Sequence, residues 1–142
     1  MQPLFDQYFK LKEALAQDNF ETAQSEGKAM KAALENINSK LFNGESQKFW
    51  EKWSIQLTEN LQHIEHHQDI EAVRKPFMPI SNTMIAIAES FDPLDEPVFL
   101  QYCPMAFNNQ GADWLSRESE ILNPYFGASM LRCGEVKKEI KN

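Results

Sequence analysis

Apolar residues recur at helical intervals from the start of the chain to about residue 91. Leu4, Tyr8, Leu11 and Leu15 step by four, three and four, so they share one face of a helix. A second stripe runs through Phe20, Ala23, Gly27, Met30, Leu34 and Ile37, with Asp18 ahead of it as the expected N-cap. Gly27 within that stripe predicts close approach by a neighbouring helix, because it carries no side chain to hold one away. "FNGES" (42–46) breaks the pattern with Asn43-Gly44 turn chemistry, and Ser46 is placed to cap a third helix carrying Trp50, Trp53, Leu57, Leu61 and Ile64. Asp69 is the expected cap of a fourth, whose stripe is Ile70, Val73, Phe77, Ile80, Met84, Ile87 and Phe91. Pro76 and Pro79 fall inside it. An interior proline costs about 3 kcal/mol in an ideal helix, which predicts a kink or a split near Lys75.

After "FDPLDEP" (91–97), a loop with two prolines and three acids, the pattern changes. "VFLQYC" (98–103) has the composition of a strand. "FNNQGADWLS" reads as a turn followed by a short helix around Trp114, with Asp113 or Ser116 as its cap. Asn123-Pro124 and Gly127 mark a further turn. "MLRCGEV" reads as a second strand, paired with 98–103 in a short hairpin that brings Cys103 and Cys133 together. The expected fold is therefore mainly α: one domain over 1–142, with a four-helix up-and-down scaffold over 1–91 and a small irregular C-terminal cap over 92–142. Trp114, Tyr125 and Phe126 are expected to anchor the cap on the helices. Arg74, on a mainly apolar helix, is expected to fix it by reaching Glu118 or Glu120.

Charge narrows the function classes. A net charge of −7 over 142 residues argues against a general affinity for nucleic acid, which needs clustered Lys and Arg. No apolar run is long enough to cross a bilayer, so no membrane-spanning segment is expected. The chain does not open on a basic start and an apolar stretch; the residues alone leave a cytoplasmic protein and an exported one with its signal removed both open. No phosphate loop, dinucleotide fingerprint, nucleophile elbow or spaced acid–base pair marks an enzyme.

The chemistry that stands out is sulfur. Both cysteines of the chain lie in the cap, each near a methionine: Cys103 with Met105, and Cys133 with Met130. Thiolates and thioethers are soft donors and select Cu(I) over hard cations. In an extended segment Cys103 and Met105 point to the same side. Two thiolates satisfy a linear site and one or two thioethers raise its coordination; Met78 and Met84 on the fourth helix are further donors. The same pair also reads as buried thiols or as a disulfide, which would close a loop worth about 3–4 kcal/mol in the chain-entropy model. Neither cysteine has the setting of a catalytic nucleophile. A weaker second site is His63 with His67, at i and i+4 on a helix, a spacing able to chelate Zn or Cu(II). The order His-Ile-Glu-His-His is not a metalloprotease motif, and a solvated helix end is the plainer reading because Ile64 carries the stripe.

"YCPMAFNNQGADWLS", "EILNPYFG" and "MLRCGEV", in that order, together with "RKPFMPIS" upstream, resemble the DUF3347 family over most of the chain up to Val136. Pro76 and Pro79 depart from that family's helix-forming residues. The resemblance implies an exported bacterial domain, periplasmic or lipid-anchored, of a type also fused to adaptor subunits of heavy-metal efflux pumps; the family carries no established activity. The leading expectation is an extracytoplasmic accessory domain that captures or delivers Cu(I) through Cys103, Met105, Met130 and Cys133, with an efflux adaptor or another envelope protein as partner. The alternative is a non-enzymatic protein-interaction module stapled by a Cys103–Cys133 disulfide, with Trp114 and "NPYFG" shaping its binding face.

Overall fold

The computed structural model describes residues 1–141. Its stripes fold as helices α1 (Gln2–Ala16), α2 (Phe20–Glu35), α3 (Gly44–His66) and α4 (Ile70–Phe91). Residues 17–19 and 67–69 are too short to let consecutive helices run anything but antiparallel, which gives the up-and-down arrangement. The stripes face inward: Leu4, Tyr8, Leu11 and Leu15 of α1 and Val73, Phe77, Ile80, Met84 and Ile87 of α4 are fully buried. Each such side chain contributes about 1.5–3 kcal/mol by leaving water. Gly27 has the role its position suggests, since a Cβ there would lie 3.0 Å from Ile64 Cγ2 of α3.

The caps follow the sequence in part. Asp69 accepts the Ala72 N–H at 2.9 Å. At α2 the cap is Asn19, which accepts from Thr22 N at 3.1 Å, not Asp18. Asp18 instead takes a left-handed conformation, φ 57°, and its carboxylate is used elsewhere. At α3 the cap residue is Asn43, and Ser46 Oγ reaches back to accept the Asn43 N–H at 3.1 Å. The expected split near Lys75 does not occur: α4 is unbroken through Pro76 and Pro79. The buried stripe spans both prolines, and its burial outweighs the two missing N–H donors.

The C-terminal part is a three-stranded antiparallel sheet, not a two-stranded hairpin. Its order is β2 (Ala112–Ser116), β1 (Val98–Cys103), β3 (Glu135–Ile140). The segment expected to form a short helix around Trp114 is strand β2, paired from Phe99↔Ser116 to Cys103↔Ala112. Pairing with β1 satisfies one side of its backbone, and Tyr8 Oη takes the Leu115 N–H on the other, whereas a single helical turn would leave most of its groups unpaired. Trp114 and Leu115 are buried, and β2 packs on α4. Asp113 and Ser116 are therefore strand residues, not helix caps. The outer strand β3 begins two residues after Cys133 and is almost wholly exposed, with Lys137, Lys138 and Glu139 along it, a composition that discourages further pairing.

The main polar join between the cap and the helices is centred on Arg74. Arg74 of α4 is 2 % exposed. Its Nε donates to Pro124 O at 2.9 Å, Nη1 to Glu71 at 2.6 Å, and Nη2 to both Leu15 O and Asp18 Oδ1 at 2.7 Å. Asp18 Oδ2 accepts the Ala128 N–H at 2.8 Å. Gly127, at φ 59°, is packed so tightly here that a Cβ would collide with the Asp18 carboxylate and approach Arg74 Nη2 to 2.6 Å. Arg74 thus fixes the cap as expected, but not through Glu118 or Glu120; Glu120 pairs with Arg132. Tyr8 adds a second tie, its hydroxyl lying 2.8 Å from Ser81 Oγ and accepting the Leu115 N–H at 3.0 Å.

Replacing Arg74 with Met keeps the apolar stem and removes the donors. The buried Pro124 carbonyl then loses its Arg74 donor, the Leu15 carbonyl keeps only the Asp18 N–H, and urea unfolding is expected to show a loss of about 3 kcal/mol. A loss below about 1 kcal/mol, the scale of an exposed ion pair, would contradict the role given to this cluster.

Candidate functional site

The cap's core brings the two sulfurs together. Cys103 ends the central strand β1 and is buried. Cys133 is half-buried in the segment between the 3-10 turn 127–130 and β3. Both are free thiols, with Sγ atoms 3.7 Å apart. Two frameworks hold them. Cys103 is fixed by strand pairing, opposite Ala112. Cys133 is held by Asn123, whose Nδ2 donates to Cys133 O at 2.8 Å, while Cys133 N donates to Met130 O at 3.1 Å. Asn123 is itself fully buried, and its Oδ1 accepts from Tyr125 N at 2.8 Å and Phe126 N at 3.2 Å. This is the turn that Asn123-Pro124 signals in the sequence, but its use as a strut for the cysteine segment has no sequence signature.

Burial pushes the Cys133 thiol above its usual range, and the hydrogen bond and charge of Cys103 add to this. The two sulfurs share one hydrogen-bonding contact, and for Cys133 both burial and that contact favour the protonated thiol.

The methionines lie differently from the expectation. The strand stops at Cys103, and Met105 has helical backbone angles (φ −91°, ψ −9°), so the alternation that would put it beside Cys103 does not apply. Cys103 is buried and Met105 exposed. Met105 and Met130 instead share the wall of a cavity of about 470 Å³, with Arg74, Phe107, Tyr125 and Phe126. The turn beside it is unusual: Phe107, Asn108 and Asn109 all have left-handed φ, between 53° and 68°. Asparagine accepts this conformation; Phe107 does so while packing edge-on against Tyr125, ring centroids 5.4 Å apart. Of the two methionines on α4, Met84 is core filler, and Met78 Sδ accepts from Asn82 Nδ2 at 3.4 Å.

The histidines form no comparable cluster. α3 ends at His66, and His67 has left the helix with ψ 155°. The His63 and His67 rings stack at 20°, centroids 6.5 Å apart, face to face rather than converging on a common point. Among the described residues, no group of three His, Cys, Asp or Glu side chains is assembled for a metal. None of the described helices is long and apolar enough to cross a membrane.

A family model described as protein of unknown function (DUF3347) matches residues 4–96. The match covers the four long helices and ends before β1, so the segments carrying Cys103 and Cys133 lie outside it. No curated protein and no solved structure matches the chain significantly.

Alkylation should report the thiol pair directly. Cys133 is expected to react with iodoacetamide more slowly at neutral pH than an exposed cysteine, with a midpoint above the usual thiol value of about 8.5. Cys103→Ala should bring that midpoint down. An unshifted midpoint in the unaltered protein would show that the two sulfurs do not interact in solution.

Proposed function

The chain belongs to the DUF3347 family, and for this member we propose that the cap is a soft-metal capture site, with Cys103 and Cys133 as the thiolate donors for Cu(I). The reading is carried by the 3.7 Å sulfur separation. Two metal–thiolate bonds of about 2.3 Å at a tetrahedral angle span about 3.75 Å, whereas a linear arrangement needs about 4.6 Å. The spacing suits a bent, three- or four-coordinate ion, which leaves room for a thioether. Met130 is the nearer candidate by connectivity, through its hydrogen bond to Cys133 N. Met105 belongs to the outer wall it shares with Met130 and would have to move inward to ligate.

Uptake requires both thiols to lose their protons. Because burial and Cys103 hold the Cys133 thiol above its usual range, affinity falls as the pH is lowered, and each ion bound releases protons. Release needs no chemical step, only exchange onto another soft donor. An exported location, and an efflux adaptor or other envelope protein as the acceptor, belong to this proposal and follow from the family resemblance.

The sulfur contact also favours a second reading, in which an external oxidant removes two electrons and two protons and leaves a Cys103–Cys133 disulfide in an interaction module. The fold weakens the case for a staple, since Arg74, Tyr8 and Asn123 already fasten the cap.

Anaerobic Cu(I) titration of the reduced protein against a competing chelator separates the two. One ion per chain is expected, with Cys103→Ser lowering affinity more than about 100-fold and Met130→Leu about tenfold. Reduced protein that takes up no Cu(I) in competition would overturn the capture proposal and leave the staple.

A further inference from the structure

Lys12 of α1 is only 2 % exposed, among the largest fully buried side chains of the molecule. Among the described residues, no hydrogen bond or ion pair reaches its nitrogen. The charges that face it, Glu118, Glu13 and Glu120, act from beyond ion-pair distance. Lys12 lines a cavity of about 420 Å³ whose apolar walls include Ala16, Leu122 and Leu131, with Glu13 and Asp18 as exposed lining residues. The carboxylate of Asp18 is already engaged by Arg74 and Ala128.

With no carboxylate in ion-pair range, the near-complete burial of this side chain penalises its charged form and favours the neutral amine. Burial accordingly pulls the Lys12 pKa below its usual value, against partial opposition from the three glutamates. In its neutral form the amine is a nucleophile, and desolvation in an apolar cavity is the setting in which lysines add to carbonyl groups. The acidic side chains around the cavity disfavour an anionic ligand, and the apolar walls favour a neutral one of modest length.

We propose that this cavity is a carbonyl-binding site in which Lys12 forms a reversible imine with a small aliphatic aldehyde. The lone pair of Nζ attacks the carbonyl carbon, a C–N bond forms, and the carbonyl π electrons move to oxygen. The resulting carbinolamine loses that oxygen as water, which carries away the two amine protons, and a C=N bond remains. No oxidant or reductant takes part, and hydrolysis reverses the step. The site is built on α1 and the 122–131 loop and involves neither cysteine.

The test is reductive trapping. The full chain is incubated near neutral pH with hexanal and sodium cyanoborohydride, and the alkylated lysines are mapped by peptide mass spectrometry. Lys12 is expected to be labelled about tenfold faster than exposed lysines such as Lys137 and Lys138. Leu131→Trp, which fills the cavity and keeps Lys12, should slow that labelling about tenfold, while Lys12→Met should remove the fast adduct and retain the thermal transition. Labelling of Lys12 no faster than that of exposed lysines in the unaltered protein would overturn the proposal without recourse to any variant. So would an unchanged rate in a folded Leu131→Trp protein.

Discussion

Where the helices meet the sheet, a single guanidinium is removed from water and given four acceptors on four different pieces of chain. Arg74 joins the end of α1 through Leu15, the α1–α2 turn through Asp18, its own helix through Glu71, and the cap through Pro124. Guanidinium is suited to this because its donors are fixed in one plane and it keeps its charge in the interior. The constraint is mutual. Asp18 must leave the helical conformation to face Arg74, which gives the capping role to Asn19. Gly127 must be glycine-like in φ and bare of a side chain to let Ala128 donate to Asp18. Remove the guanidinium and the buried Pro124 carbonyl and a tightly closed turn lose the reason for their placement.

The sulfur pair depends on that join at one remove. Pro124 is adjacent to Asn123, and Asn123 carries the segment of Cys133 by a hydrogen bond to its carbonyl. Cys103 is positioned from the other side by β1, whose partner β2 packs on α4 and is tied to Tyr8. The 3.7 Å contact is thus the meeting point of two supports that both originate in the helices. Such preorganisation is what the proposed metal capture would use, since the donors need not be gathered when an ion arrives. Met105 lacks such support, lying on an exposed turn held by three left-handed residues.

The helical scaffold was legible in the sequence because its signals are local. Stripes at steps of three and four gave the four helices, Asp69 its cap, and Gly27 its close contact with Ile64. The failures share one cause, a long-range partner that a local pattern does not contain. Trp114 joined a strand because β1 was there to pair with it. Pro76 and Pro79 stayed within α4 because burial along the whole stripe outweighed their cost. Asp18 was a good cap in isolation and a better acceptor for Arg74 and Ala128. The approach of Cys103 to Cys133 was foreseeable from two candidate strands, but the places of Met105 and Met130 were not, since the strand ends at the cysteine.

Asp18 reports on all parts of the join at once, as it accepts from the Ala128 N–H of the cap and from Arg74 of α4. Those two interactions, the backbone one first, hold its carboxyl below the usual range. Its stabilising effect is therefore present above the unfolded carboxylate value of about 3.9 and is lost as the pH falls through the depressed folded value. The most direct measurement is a carbon-detected NMR titration of the Asp18 side chain in the folded protein. A midpoint clearly below about 3.9 is expected. A midpoint at the ordinary aspartate value would contradict the claim that a buried arginine fastens the cap to the helices.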